Sequence, residues 1–276
     1  MENLKFVTAG QPICNGSAGY ENAFKILEEL KLDGLELEFV HGVRMTAQNR
    51  ELVKKVSKEK GMVLTAHGPY YINLNSKEQE KIEASITRVL DTARIGKELG
   101  AYSVTYHAAF YMGMKPEDVY KKVETSMETI CKTLDEEGND IWVRPETTGK
   151  PTQWGNLEEI VKLSKDFKQV LPCVDFSHLH ARTNGKYNTY DEFCAIFEYI
   201  GKELGDYALN NFHAHIAGID YGEKGEKKHL MLEESDMNYK DLIKAFKKFD
   251  IKGVIVCESP VMERDAVLLK EYYQSL

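Results

Sequence analysis

Apolar runs of strand length recur eight times along the chain, and amphipathic segments separate them. The runs are LKFVTA (4–9), GLELEFV (34–40), MVLTAH (62–67), YSVTYHA (102–108), DIWVRPE (140–146), VLPCVDF (170–176), NNFHAHIA (210–217) and GVIVCES (253–259). After the first run, Phe24, Leu27 and Leu30 recur at helical spacing within 20–32. Similar patterns predict helices over 46–60, 76–98, 116–137, 156–168, 189–204, 238–249 and 262–275. Eight strand and helix pairs predict an α/β fold, a parallel (β/α)8 barrel in which residues 1–276 form a single domain.

The composition indicates a globular protein with a large core and no membrane-spanning segment. With 276 residues, of which 42% are hydrophobic, the chain can bury a large core. It has no apolar run long enough for a membrane span and no signal-peptide pattern at its start, so we expect a cytoplasmic protein without membrane contacts. Five cysteines without a C-x-x-C pair predict no disulfides. A net charge of -8 argues against non-specific binding along a polyanion, although bound divalent cations can create a local positive site.

Side chains that bind metals gather at the ends of the predicted strands. All eight histidines lie at strand ends or in the loops that follow them. Seven positions form the main candidate set: His67, His107, Glu146, Asp175, His178, His213 and Glu258. In a (β/α)8 barrel these strand ends meet at one mouth, where so many buried charges need compensation. A mixture of imidazole and carboxylate ligands suits zinc or a similar divalent ion.

Two histidines of the seventh run compete for one role. His213 and His215 are two residues apart, so they point to the same side of the strand at different depths. We predict His213 as the ligand, with His215 as a ligand, an outer-sphere contact or a substrate contact. His180 is interpreted first as a loop or helix-start residue and second as a ligand.

Six short motifs, in order along residues 62–260, resemble one known family. They are HGPYYINL (67–74), YHAAF (106–110), PETTG (145–149), CVDFSH (173–178), FHAHIAG (212–218) and CESP (257–260). Together they are similar to the endonuclease IV group of apurinic/apyrimidinic (AP) endonucleases, which belongs to the xylose isomerase-like TIM barrels.

The resemblance implies a trinuclear zinc site, with Mn²⁺ as an alternative metal. His67 and His107 would bind one ion, and Glu146 would bridge it to a second. The second ion would also contact Asp175, His213 and Glu258. The third would be held by His178 and His229.

One position departs from the pattern of this family. The loop reads EKKH (226–229), which places Lys227 where the family has an aspartate ligand. An ammonium group repels a cation, so we expect a third ion that is loosely held, displaced, or completed by Glu226, His180 or His215.

The resemblance also implies a nucleic-acid partner. Tyr70 would enter duplex DNA at a damaged site, with Asn73 beside it, and the loop carrying His41 and Arg44 would touch the DNA backbone. The partner would be double-stranded DNA with abasic or damaged sites, bound by a monomer. The alternative for Tyr70 is a packing role under its loop.

The favoured function is a zinc-dependent phosphodiesterase that cuts DNA on the 5′ side of an abasic or damaged nucleotide, with Glu146 orienting the attacking hydroxide. The alternative is a sugar isomerase or epimerase of the same superfamily, which would need one ion held by Glu146, Asp175, His213 and Glu258. A non-catalytic metal-loaded barrel is a third possibility.

Overall fold

The computed structural model describes residues 1–14 and 19–276. Eight parallel strands, numbered with the others in chain order, form one sheet in the order β6-β4-β3-β2-β1-β12-β9-β8. Their bounds are β1 Leu4–Ala9, β2 Gly34–Glu38, β3 Val63–His67, β4 Ser103–Tyr106, β6 Trp142–Pro145, β8 Val174–Asp175, β9 Phe212–Ile216 and β12 Gly253–Cys257. Parallel bridges from Val143 to Val170 and from Glu146 to Cys173 join the two ends of the sheet. The predicted barrel is therefore confirmed.

Helices surround the strands. They are α1 Tyr20–Glu29, α2 Ala47–Lys60, α3 Gln79–Leu99, α4 Pro116–Glu136, α5 Leu157–Asp166, α6 Phe176–Arg182, α7 Tyr190–Leu204, α8 Asp206–Leu209, α9 Tyr239–Lys248 and α10 Met262–Ser275. Capping boxes start α5 at Asn156 and α7 at Thr189, which satisfies backbone N–H groups that have no partner within the helix. All eight predicted helices are present. None of the helices described has the length and apolar character that crossing a bilayer requires.

Two antiparallel pairs of strands are added to the barrel on the side of the strands' carboxyl ends, and only the second pair is a hairpin. One pairs β5 (Ala109–Phe110) with β7 (Gln153–Trp154), and the other pairs β10 (Gly218–Gly222) with β11 (Gly225–Leu230). The composition of the basic segment KGEKKH (224–229) predicts a solvated loop, but Gly225–Leu230 form strand β11. Strand β11 forms because β10 supplies the backbone partners that no local sequence pattern reveals.

The barrel interior is more polar than usual. Bulky apolar residues normally fill it, and Val7, Val254 and Val256 do so here. Six other inward-facing positions, each two residues before a residue of the mouth, carry fully buried polar, charged or thiol groups: Glu36, Thr65, Thr105, Arg144, Cys173 and His213. The mouth therefore lies above a polar layer.

Candidate metal centre

Glu146 lies at the centre of the mouth. It follows β6 and is 1% exposed, and its two carboxylate oxygens face histidines from the two preceding barrel strands. His67 Nε2 lies 3.1 Å from Oε2, and His107 Nε2 lies 3.1 Å from Oε1. One ligand atom from each of these three side chains falls within 4.8 Å of the others. That spacing could hold a first metal ion.

A second group uses Glu146 again. It adds Asp175 at the end of β8, His215 on β9 and Glu258 after β12, with ligand atoms within 4.8 Å of one another. His215 Nδ1 lies 3.0 Å from Glu258 Oε1 and 3.5 Å from Glu146 Oε1. Because Glu146 belongs to both groups, its carboxylate could bridge two ions.

A third group lies between the barrel and the β10–β11 hairpin, and consists of His178, Glu226 and His229. Glu226 Oε2 lies 3.6 Å from His178 Nε2, and its Oε1 lies 4.0 Å from His229 Nε2. Gly149 makes this approach possible, since a Cβ there would come within 2.8 Å of Glu226 Cβ and 2.9 Å of His178 Cδ2. The glycine of the PETTG motif therefore makes room for this group.

A β-bulge at Lys227 explains why the glutamate, and not the lysine, faces the mouth. Along β11, Glu226 pairs with Tyr221 while Lys228 pairs with Asp220, so Lys227 is the extra residue. In a regular strand residues 226 and 229 would point to opposite sides, and the bulge turns them to the same side. Lys227 Nζ instead contacts Asp220 Oδ1 at 3.2 Å, and its side chain is 58% exposed. The lysine therefore lies outside the third group, in which Glu226 is the carboxylate beside His178 and His229.

The prediction of His213 as the seventh-strand ligand does not fit this arrangement. His213 lies deeper in the barrel, where its Nε2 is 3.2 Å from Glu36 Oε2 and its Nδ1 is 2.9 Å from Ser103 Oγ. His215 reaches Glu146 and Glu258 instead, because two residues along a strand displace a side chain by nearly 7 Å, about the depth of one layer. The structure thus favours His215 over His213.

The remaining histidine that was considered, His180, faces away from the mouth. Its Nδ1 lies 2.9 Å from the carbonyl oxygen of Lys186, and its Nε2 lies 3.1 Å from Asp236 Oδ1. Both ring nitrogens thus have partners in the loop after α6 and near the hairpin. The geometry favours the first interpretation of His180, as a loop or helix-start residue, over a ligand role, although the residue lies in the second turn of α6.

Charges in the mouth are strongly coupled. Burial favours the neutral form of Glu146, but the nearby His107 and His215 hold its pKa well below the usual range. Burial lowers the pKa of His67, yet its hydrogen bond to Glu146 and the surrounding carboxylates raise it to about 10. Burial raises the pKa of Asp175 to about 6 despite the opposing charge of His178. Without a metal, the carboxylates depend on protonated histidines for compensation.

Several buried nitrogen and oxygen atoms of the mouth lack hydrogen-bond partners in the described part of the chain and could bind a cation instead. Among the residues described, Glu146 Oε1, Asp175 Oδ2, His215 Nδ1 and His229 Nε2 make no hydrogen bond of acceptable geometry. Buried polar atoms without partners are costly, and here they are nitrogen and oxygen ligands suited to zinc or manganese. The residues present therefore fit a divalent metal centre.

Two carboxylates near the centre escaped sequence reasoning. Glu36 is fully buried, and burial together with the charges of Glu36 and Glu258 raises the pKa of Glu38 to about 8 even though His67 opposes the shift. A signal was available in the run GLELEFV, where acidic residues alternate with apolar ones. A barrel strand is covered on both sides, so these carboxylates had to face the interior.

The rim of the mouth carries exposed aromatic and apolar side chains. Tyr70 and Tyr71 are each 60% exposed, and the ring centroid of Tyr70 lies 6.0 Å from that of His67. Asn73 stabilises this loop, since its Oδ1 accepts a hydrogen bond from the Asn75 N–H at 3.1 Å. Arg44 is exposed in the loop after β2. Tyr70 and Arg44 are therefore surface groups, whereas Asn73 is half-buried in its loop, and Tyr70 lies directly beside His67 of the first ligand group.

Sequence comparisons place the chain among related proteins. Residues 24–274 match the family model described as "Xylose isomerase-like TIM barrel". Uncharacterized protein MJ0133 of Methanocaldococcus jannaschii is 40% identical over 276 residues, which cover 99% of this chain and 98% of that protein. Probable endonuclease 4 of Nitrosopumilus maritimus is 27% identical over 192 residues, or 62% of this chain and 67% of that protein. The resemblance seen in the motifs is thus found again in a sequence match that covers 62% of the chain.

Solved structures agree on the architecture. Endonuclease IV from Thermus thermophilus aligns with a TM-score of 0.73 at 16% identity, covering 99% of this chain and 98% of that one. A D-tagatose 3-epimerase-like protein aligns with a TM-score of 0.75 at 17% identity, covering 98% and 96%. At these identities the alignments establish the shared fold only, and the choice of chemistry depends on the mouth.

Proposed function

Because this chain belongs to the xylose isomerase-like TIM barrel family, we propose that its mouth is a multinuclear metal centre that cleaves the DNA backbone on the 5′ side of an abasic or damaged nucleotide. One observation carries the proposal, namely three ligand groups placed side by side. Glu146 is shared by two of them, and His178 of the third lies 3.1 Å from Glu146 Oε1. Phosphodiester cleavage benefits from such an arrangement, because adjacent ions can clamp the attacking and leaving oxygens.

Zinc is the proposed metal, with Mn²⁺ as the alternative. When bound, such ions polarise the phosphate and make water a better nucleophile. In the proposed site His67, His107 and Glu146 hold the first ion. Asp175, His215 and Glu258 hold the second together with Glu146. His178, Glu226 and His229 hold the third.

The protein's own side chains would position the substrate. Glu146 remains ionised, so it can accept a hydrogen bond from the attacking water and orient it towards phosphorus. Tyr70 projects from the rim, where an aromatic ring can fill the gap left when an abasic nucleotide turns out of the duplex. Arg44 is exposed on a neighbouring loop and can contact a phosphate.

A sugar epimerase is the second candidate, since one group alone could serve it. Glu146, Asp175, His215 and Glu258 form a set of three carboxylates and one histidine, which suits one Mn²⁺ or Mg²⁺. Such an enzyme has no need of the other two groups. The third group in particular requires the bulge at Lys227 and the missing side chain of Gly149.

The deciding experiment uses metal-loaded protein and an end-labelled duplex with one abasic site, beside the same duplex without the lesion. We expect incision at the lesion only, leaving a 3′-hydroxyl on the upstream fragment. A panel of ketoses is tested in parallel by polarimetry. An intact duplex combined with a changing sugar rotation would replace the proposal with the epimerase.

The third ion should depend on Glu226 and not on Lys227. We expect zinc-loaded protein to retain about three ions per chain after dialysis, because Glu226 supplies the carboxylate that Lys227 lacks. Glu226→Gln should lose one ion, whereas Lys227→Asp should keep the count unchanged because that side chain points to Asp220. Elemental analysis of the three proteins measures this. A count that rises in Lys227→Asp would show that the lysine does weaken the site.

Replacing Tyr70 with alanine should weaken binding to the abasic duplex by about 5- to 150-fold, which corresponds to the roughly 1 to 3 kcal/mol of one base–aromatic stack. Binding to the undamaged duplex should change little, since the wedge acts only where the stack is open. Tyr71→Ala is the matched control, because that ring is equally exposed and adjacent. Fluorescence anisotropy gives both affinities. Equal losses on both duplexes, with a lower Tm, would make Tyr70 a packing residue.

A further inference from the structure

Glu36 is a fully buried carboxylate held between two histidines. Its Oε1 lies 3.1 Å from His215 Nε2, and its Oε2 lies 3.2 Å from His213 Nε2. Both ion-pair partners found for it among the described residues are these histidines. A buried charge of this kind is expensive unless its surroundings use it.

Ser103, His213, Glu36 and His215 contact one another in that order. The hydrogen positions on the two histidines follow from the contact between Ser103 and His213. His213 Nδ1 lies 2.9 Å from Ser103 Oγ, so the serine hydroxyl can donate to this nitrogen. When the serine O–H is donated to Nδ1, the hydrogen of a neutral ring lies on Nε2, which faces Glu36 Oε2 at 3.2 Å. Glu36 is thereby fixed, with its other oxygen turned towards His215.

The position of the hydrogen on the His215 ring decides whether Nδ1 can bind a metal ion. Its Nδ1 lies 3.0 Å from Glu258 Oε1, so without another influence the ring hydrogen would sit on Nδ1 and be donated to that carboxylate. A hydrogen on Nδ1 would block binding to a metal. A carboxylate at Nε2 draws the hydrogen to the opposite nitrogen and leaves the Nδ1 lone pair free.

We propose that Glu36 is a positioning residue for the metal centre: it holds the hydrogen of His215 on Nε2, so that Nδ1 faces the ion shared with Glu146 and Glu258. His213 and Ser103 anchor Glu36 and contact no metal. The inference rests on the proposed metal centre but not on the proposed substrate. It also gives a physical reason for a glutamate and a histidine in a barrel interior that apolar residues usually fill.

The interior residues could also bind a metal ion directly, and this alternative predicts a different role for Cys173. Cys173, His213 and His215 have ligand atoms within 4.8 Å of one another and could hold an ion of their own below the mouth. In that arrangement the thiol would be a ligand and Glu36 would be secondary. The two arrangements therefore differ in what Cys173 does.

The test compares Glu36→Gln with Cys173→Ala, a matched interior variant. Zinc affinity is measured by competition with a chromophoric chelator, without DNA. Glu36→Gln should bind about 10- to 100-fold more weakly, as loss of an outer-shell partner generally causes, while Cys173→Ala should bind like the unchanged protein. His213→Gln, which leaves Glu36 with one anchor, should show a smaller loss and serves if Glu36→Gln does not fold.

Nuclear magnetic resonance of ¹⁵N-labelled histidine supplies a readout that a purely structural role would not move. In the zinc-loaded protein the Nε2–H of His215 should resonate downfield because a carboxylate accepts it, and Glu36→Gln should move that resonance upfield. Unchanged affinity and an unchanged Nε2–H resonance, with only a lower Tm, would overturn the proposal. So would an equal loss in Cys173→Ala, with a thiolate charge-transfer band in Co²⁺-loaded protein. Normal zinc binding without DNA cleavage would overturn the proposed function and leave this inference standing.

Discussion

Replacing Glu146 with glutamine should slow cleavage of the abasic duplex by about 100-fold or more, the cost typical of losing a preorganised electrostatic group. The change removes the negative charge shared by two ligand groups while keeping the shape of the side chain. Because the effect falls on ions and water that act in the transition state, affinity for the damaged duplex should change far less than the rate. Single-turnover rates and anisotropy separate the two quantities.

A matched control lies on the surface. Glu203 pairs with Lys165 at 2.6 Å and has no contact with the mouth, so Glu203→Gln should cleave at the normal rate. If Glu146→Gln turns over as fast as Glu203→Gln, Glu146 has no part in the mechanism.

Removing the metal should lower the Tm by about 8 to 16 °C. A ligand that binds only the folded state at 1,000 times its Kd stabilises by about 4 kcal/mol, and each kcal/mol is worth about 2 to 4 °C in a chain of this size. The physical origin is the crowding of Glu146, Asp175 and Glu258 around one cavity. Calorimetry before and after chelation measures the shift, and readdition of zinc should restore it. An unchanged Tm would mean that the mouth binds no ion tightly.

The metal-free protein should lose stability as the pH rises from about 6.5 to 10. The folded-state pKa of His67, about 10, lies above its unfolded value near 6.5. Its stabilising proton is therefore fully present below pH 6.5 and is lost as the pH rises through 10. Metal-free His67→Asn should show a shallower decline of Tm across this window. A decline as steep as that of the unchanged protein would assign the effect to other groups.

The barrel could be predicted because the pattern of an apolar strand followed by an amphipathic helix is repeated eight times. An error in the bounds of one element does not change the number of repeats, and that number indicates the fold. The sixth run shows the limit of this approach. Residues 170–176 read as one strand, but only Val174–Asp175 form β8. Pro172 has no N–H for the ladder, and the Asp175 side chain accepts the His178 N–H, which starts α6 at once.

Ligand identity was harder to predict than fold for three separate reasons. Periodicity gives the side of a strand but not the depth, so it could not choose between His213 and His215. A bulge has no reliable sequence signature, so the exchange of Lys227 for Glu226 was open among several possibilities. Glu36 lies one layer below the strand ends, and the rule that places ligands at strand ends does not reach the groups beneath them.

The placement of the β10–β11 hairpin has a consequence for how the centre fills. Two of the three side chains in the third group come from this hairpin, which is a separate two-stranded sheet, whereas the other two groups come from the barrel. In the proposed site, any movement of the hairpin withdraws Glu226 and His229 together. We therefore expect the metal ions to bind in a fixed order, with the two ions of the barrel bound first. The third ion should exchange fastest, and its binding should hold the hairpin in place over the mouth.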